Sequence, residues 1–228
     1  MNSDELSVKA LTQVSIAEFE FEAPPLCEKV KRNAGKVMKE IPVQRLQAGG
    51  QQLSQQRGSR YQWGEGIILN RNSRVSGGFW TNMPSSQLED LRQVTADYPA
   101  IFLFCYYEIP QSKLHVWAVP DEVAIRSLAT VPENQSGVKT VFIDLRTQRF
   151  SYADDAPDLT PYYREIDLSD AEIEALTASI KQDAAAKELA VDGTDDGEDD
   201  DDPSLDTDYY SQETVDFLLE LPDCHGAL

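Results

Sequence analysis

Two histidines, His115 and His225, are all the imidazole in the 228-residue chain, so histidine chemistry has few places to occur. His115 alternates with Val116 in a strand-like segment and can face solvent or core. Cys105 lies on the segment expected to pair with it, which makes a Cys–His pair one reading. A packed cysteine beside a hydrogen-bonded strand histidine is the other, because free cysteine behaves mostly as a small buried hydrophobe. Cys224 and His225 adjoin each other and offer at most two soft ligands, with no zinc spacing around them. An EF-hand loop with Gly197 as its sixth residue has Asp192 first and Asp196 fifth. Thr194 fills its third position weakly, and Pro203 stands where the bidentate Glu is required. Loose divalent-cation binding is left; no specific metal site is expected. No Gly-x-Ser-x-Gly elbow, phosphate loop or dinucleotide fingerprint occurs, and no cofactor is expected.

What the chain offers in quantity is charge. Its formal net charge is −20, but the distribution is uneven. From Asp183 to Leu228 there are sixteen acidic residues against one basic, Lys187, a net of −15. The preceding 182 residues carry 24 acidic and 19 basic, a net of −5. Between Pro24 and Arg74 the balance reverses. Lys29, Lys31, Arg32, Lys36, Lys39, Arg45, Arg57, Arg60, Arg71 and Arg74 are opposed by only Glu28, Glu40 and Glu65, a net of about +7. A helix and loop bearing these cations would offer phosphate contacts, and the Gln and Ser residues between them could reach phosphate or base edges. Tyr61 and Trp63 border the loop and could stack on unpaired bases. The plainer reading makes the basic face a solvated one and the aromatics core.

These residues need elements to hold them. Residues 14–22 alternate as a strand with Phe19 and Phe21 on one face. Pro24 and Pro25 open a basic amphipathic helix over 25–40, with Leu26, Val30, Val37 and Met38 on its apolar face, and Ile41-Pro42 stops it. Residues 44–60, rich in Gln and Gly, read as a mobile loop. Tyr61 to Asn70 and Gly78 to Met83 read as strands joined by a polar turn. Ser86 to Glu89 is a capping box for a helix ending near Asp97. Ala100 to Tyr107 is a continuous apolar run, as in a strand covered on both faces, with Leu114 to Val119 as its antiparallel partner. A helix starts at Pro120, and Lys139 to Leu145 with Gln148 to Tyr152 form a hairpin. Residues 153–163 are a loop. A second capping box, Ser169 to Glu172, opens a helix whose buried stripe includes Ile173, Leu176 and Ile180.

The expected architecture is a single α+β domain over 1–189, a mixed sheet flanked by helices with a basic N-terminal third. A disordered acidic linker over 190–210 follows, because Asp192 to Asp202 repels itself and has nothing to bury. Residues 211–228 form a short acidic-hydrophobic motif in which Phe217, Leu218 and Leu221 could dock in a partner's groove. The longest apolar run is about eight residues, far short of a membrane span, and the acidic amino terminus lacks a signal segment. Three scattered cysteines argue for a reducing compartment, so a cytoplasmic protein with no membrane partner is expected.

The stretch Gly66 to Trp80 and the run Leu88 to Pro120 together resemble the core of the restriction-endonuclease-like (PD-D/ExK) nucleases. In that family a carboxylate–lysine strand is followed by a turn, a strand, a helix and a hydrophobic strand. The resemblance covers about 60 residues and rests on pattern. It implies two acids holding a divalent metal and a lysine that positions water. Here Asn70 or Arg71 stands where the lysine is expected. Glu65 is the one acid near the right strand, and Glu108 and Asp144 are the other candidates. The core is then degenerate and binds without cutting, or its elements are placed differently.

The expected function is a non-catalytic interaction protein acting on or near DNA or RNA. The basic helix and loop make the contact, and the acidic tail serves as a competitor in cis or docks a protein partner. A Mg²⁺-dependent DNA endonuclease using Glu65 with Asp144 or Glu108 is one alternative. An acidic DNA-mimic inhibitor is another.

Overall fold

The structure, a computed structural model, describes residues 19–22, 33–74, 77–153 and 156–191. Its elements in chain order begin with α1 (Ala34–Ala48), β1 (Leu53–Arg57), β2 (Arg60–Trp63), β3 (Gly66–Ser73) and β4 (Gly78–Pro84). Next come α2 (Ser85–Asp97), β5 (Ala100–Glu108), β6 (Lys113–Pro120) and α3 (Asp121–Thr130). Last are β7 (Val138–Asp144), β8 (Arg149–Phe150), β9 (Tyr163–Asp167) and α4 (Asp170–Val191).

The continuous apolar run lies near the centre of a six-stranded sheet of order β1-β2-β3-β5-β6-β9. Every neighbouring pair is antiparallel except β3–β5. A parallel pair needs a crossover, and β4 with α2 supplies it. On one side of this sheet Ile68, Leu103, Cys105 and Val116 pack with Met38, Ile41 and Leu46 of α1 and Leu176 and Ile180 of α4. On the other side Leu69, Phe102, Phe104 and Trp117 pack with α2, α3 and a second, antiparallel sheet of order β4-β7-β8. The two covers explain why β5 has no polar alternation. The fold is α+β, as the residue pattern implies.

Pro42 does not end α1, which runs six residues beyond it. An interior proline removes the N–H that the carbonyl four residues earlier would accept and costs about 3 kcal/mol. That carbonyl belongs to Met38, and the Tyr107 hydroxyl donates to it at 2.7 Å. The next carbonyl, of Lys39, accepts from Asn70 Nδ2 at 2.8 Å. The Tyr107 hydroxyl thus replaces the missing helix donor, and Asn70 adds a bond from the sheet at the next carbonyl. The helix stops at Gly49, where a Cβ would lie 2.0 Å from the Glu20 carbonyl oxygen.

The stretch expected as a loop is instead the second half of α1 and the β1–β2 hairpin. Tyr61 to Asn70 is not one strand: Gly64, at φ +56°, turns it between β2 and β3. β4 joins the second sheet. The Ser86 box does not form, because α2 begins at Ser85 after Pro84 with no side-chain cap. The Ser169 box does form, the Ser169 N–H and hydroxyl each donating to Glu172 at 2.8 Å. The end of the expected loop opens β9, an edge strand. Phe19 to Glu22 adopt no strand, and Phe19 is buried with its ring 5.4 Å from that of Trp63. Residues 1–18 and 23–32, with Lys29 and Arg32, and residues 192–228, with Phe217, Leu218 and Leu221, lie outside the described residues. Among the described residues no helix is long and apolar enough to cross a membrane.

Candidate functional site

Strand β3 carries Asn70-Arg71-Asn72 where a carboxylate–lysine element is sought. Period-two alternation puts Asn70 and Asn72 on the side of Ile68, toward α1. Asn70 is fully buried. Its Oδ1, both amide atoms of Asn72 and the Ser59 hydroxyl are buried with no hydrogen-bond partner among the described residues. Ser59 adjoins this pair, since its carbonyl accepts the Asn70 N–H at 2.9 Å. These groups are neutral amides and a hydroxyl. They lack the charge that Mg²⁺ sites draw from carboxylates.

The three candidate acids do not converge. Glu65 is exposed in the β2–β3 turn, about 17 Å along the strand from Asn70 at 3.3 Å per residue. Asp144, at the end of β7, accepts from the N–H groups of Arg146 at 2.8 Å and Thr147 at 2.9 Å. These bonds, the Thr147 one foremost, hold its carboxyl below the ordinary range. Asp144 therefore shapes a turn in the second sheet. Glu108, at the end of β5, accepts from Gln111 at 3.0 Å and lies 3.1 Å from His115 Nε2. Among the described residues no group of three or more His, Cys, Asp and Glu side chains could hold a metal ion.

Glu108 belongs to a different constellation. Ser73, Tyr106, His115 and Glu165 are register partners across β3, β5, β6 and β9. Glu108, Lys113 and Asp167 form the row beyond them. His115 is 2% exposed, its ring 5.3 Å from Tyr106 and nearly parallel to it. Its Nδ1 lies 2.9 Å from the Tyr163 hydroxyl. In a neutral His115 facing an ionised carboxylate, which only accepts, Nε2 donates to Glu108 and Nδ1 accepts from Tyr163. Burial, then Glu165 and Glu108, push the Tyr163 phenol up to about 12, which keeps it a donor. Tyr–His–Glu order is the geometry of a proton relay. Here each polar end is already satisfied within the protein, the pattern of a hydrogen-bonded strand histidine. The Cys–His pair does not form. Register sets Cys105 opposite Val116, so thiol and imidazole face opposite sides of the sheet, and burial pushes the thiol up.

The early cations divide. Lys36 is exposed and Lys39 half-buried on α1. Arg45, 3% exposed, donates through Nε to Glu172 Oε1 at 2.7 Å and through a terminal nitrogen to the Asp167 carbonyl at 2.7 Å. A second bond joins that terminal nitrogen to Glu172 Oε2. Arg45 therefore leaves the nucleic-acid set: its charge is neutralised inside the fold. Arg74 is buried as well. Arg60 and Arg71, half-buried, share the strand parity of Leu69, whose side of the sheet is opposite α1. Arg57 ends β1 in register with Arg60. The cations thus occupy two sides of the sheet rather than one surface. Tyr61 is buried, and Trp63 packs on Phe19 with its indole N–H donated to Gln51 at 2.7 Å; neither is presented for base stacking.

The residue pattern does not disclose the histidine row. Its one local signal is the short turn between Glu108 and Lys113, since a hairpin there brings Glu108 beside His115. Comparison of the chain with protein-family models, with curated proteins and with solved structures finds no match.

Proposed function

We propose that the protein binds on or near nucleic acid without cutting it, on a restriction-endonuclease-like sheet whose metal-holding acids are replaced. The observation that carries this reading is the pair of buried amides, Asn70 and Asn72, on β3. They occupy the strand to which the resemblance assigns the carboxylate and lysine, and amides cannot supply the anionic charge that metal-assisted hydrolysis needs. The parallel β3–β5 pair, reached through α2, agrees with the helix-then-hydrophobic-strand order of that family. For contact with phosphates the reading relies on Lys36 and Lys39, with Arg60 on the other side of the sheet. A buried free thiol, Cys105, suits the reducing cytoplasm we propose as its setting. Phe217, Leu218 and Leu221 are proposed contacts for a protein partner.

Fluorescence anisotropy of labelled single-stranded DNA, duplex DNA and RNA tests the reading with the full chain. Binding that Lys36→Glu with Lys39→Glu weakens by about tenfold or more is the expected result. Incubation of the same nucleic acids with Mg²⁺ or Mn²⁺ should leave them intact. Metal-dependent cutting abolished by Glu65→Ala or Glu108→Ala would replace this reading with the endonuclease.

A further inference from the structure

Helices α1 and α4 touch at both ends. The Ala34 N–H donates to Asp183 Oδ2 at 2.9 Å, and Arg45 pairs with Glu172, so the helices run antiparallel. Helix α4 therefore passes the start of α1 at Asp183. Asp183 is the first of the sixteen acids that run to Leu228, and it already sits against the first turn of α1. That turn has no acid of its own, and Lys36 within it is exposed. Beyond Asp183, α4 continues eight residues to Val191, about 12 Å at 1.5 Å per residue. The eleven residues 192–202, with eight acids among them, span up to about 36 Å when extended. Their reach is some three times the length of helix back to Asp183, which sits at Ala34.

We infer that the acidic segment 192–202 folds back in cis on the lysine side of α1, around Lys36 and Lys39, and competes there with nucleic acid. The competition rests on the binding reading above; the contact does not. Two lysines, one of them exposed, meet eight carboxylates held near them by a short tether, so the local carboxylate concentration is high. Such a contact is exposed and yields to salt.

The test uses the full chain with a nitroxide on Ser204→Cys. Cys27→Ser and Cys224→Ser leave the buried Cys105 as the remaining native thiol. At about 25 mM salt the nitroxide should broaden the amide resonances of Gly35 to Lys39 more than those of β4. The difference should vanish above about 0.5 M salt and in the Lys36→Glu, Lys39→Glu chain. Broadening of α1 no greater than that of β4, or insensitive to salt, overturns the inference. In a second arm the eight acids become Asn or Gln, and nucleic-acid affinity at low salt should rise about tenfold. Contact without a rise in affinity overturns the competition. Contact in a chain that binds no nucleic acid at all sinks the binding reading and leaves the contact standing.

Discussion

Lys36 and Arg45 stand nine residues apart on α1, and one of them meets water while the other meets Glu172. Nine residues at about 100° each amount to two and a half turns, which puts the two side chains on opposite sides of the helix. The Arg45 side packs against α4, and a charge held there must find a partner. Among the described residues the Lys36 side chain is exposed. Residue type alone makes them members of one basic segment, whereas helix phase divides them into a structural cation and an available one. The same division separates buried Arg74 from half-buried Arg60.

The sharpest way to break that comparison is at Arg45. Arg45→Met leaves the Glu172 carboxylate buried and unpaired, and urea denaturation should show a loss of about 3–5 kcal/mol. Adding Glu172→Leu should restore most of it. A loss under 1 kcal/mol for the single variant would mean that Arg45 is not structural in the sense argued. Next in size is the donor that stands in for the Pro42 N–H. Tyr107→Phe should cost about 1–3 kcal/mol by leaving the Met38 carbonyl unsatisfied. In a Pro42→Ala background the restored N–H serves that carbonyl, so the penalty should shrink; equal penalties in both backgrounds would refute the substitution of donors.

Acid should expose the same buried pair. Burial alone pushes the Glu172 carboxyl up, but the Arg45 guanidinium and the Ser169 N–H and hydroxyl outweigh it and hold it below its ordinary 4.5. A carboxyl depressed in the folded state contributes stability above its ordinary value, and that contribution is lost as pH falls through the folded value. The urea midpoint of the native chain should therefore drop as pH is lowered from about 5. The Arg45→Met, Glu172→Leu chain should drop less, and identical acid profiles would contradict the assignment. The smallest effect on stability belongs to the open side: Lys36→Glu with Lys39→Glu should stay within about 0.5 kcal/mol for each residue.

How far the sequence discloses this arrangement depends on where each partner lies. The β5–β6 hairpin and the start of α4 are legible because their signals are local: an apolar run with a short turn, and a Ser–Glu box three residues wide. The passage of α1 through Pro42 is not. Its compensating donor, Tyr107, comes from a strand 69 residues from Met38, and the bond that Asn70 adds at the Lys39 carbonyl spans 31 residues. Arg45 reads as a surface cation because Glu172 is 127 residues away. Strand β1 is polar and exposed at a sheet edge, so it carries no hydrophobic alternation to announce it. Glu108 stands out in the sequence as a candidate acid. Its partner His115 emerges only from hairpin register, which fixes the side of the sheet each residue faces.

The central claim, that the open cations of α1 engage phosphate while the buried one serves the fold, is tested most directly by the salt dependence of duplex-DNA affinity in the full chain. Each phosphate contact contributes a slope of about −0.9 in log affinity against log salt. The account predicts a negative slope that becomes shallower by about 1 to 2 in Lys36→Glu, Lys39→Glu. A slope unchanged by that pair, or no salt-dependent binding at all, would contradict it.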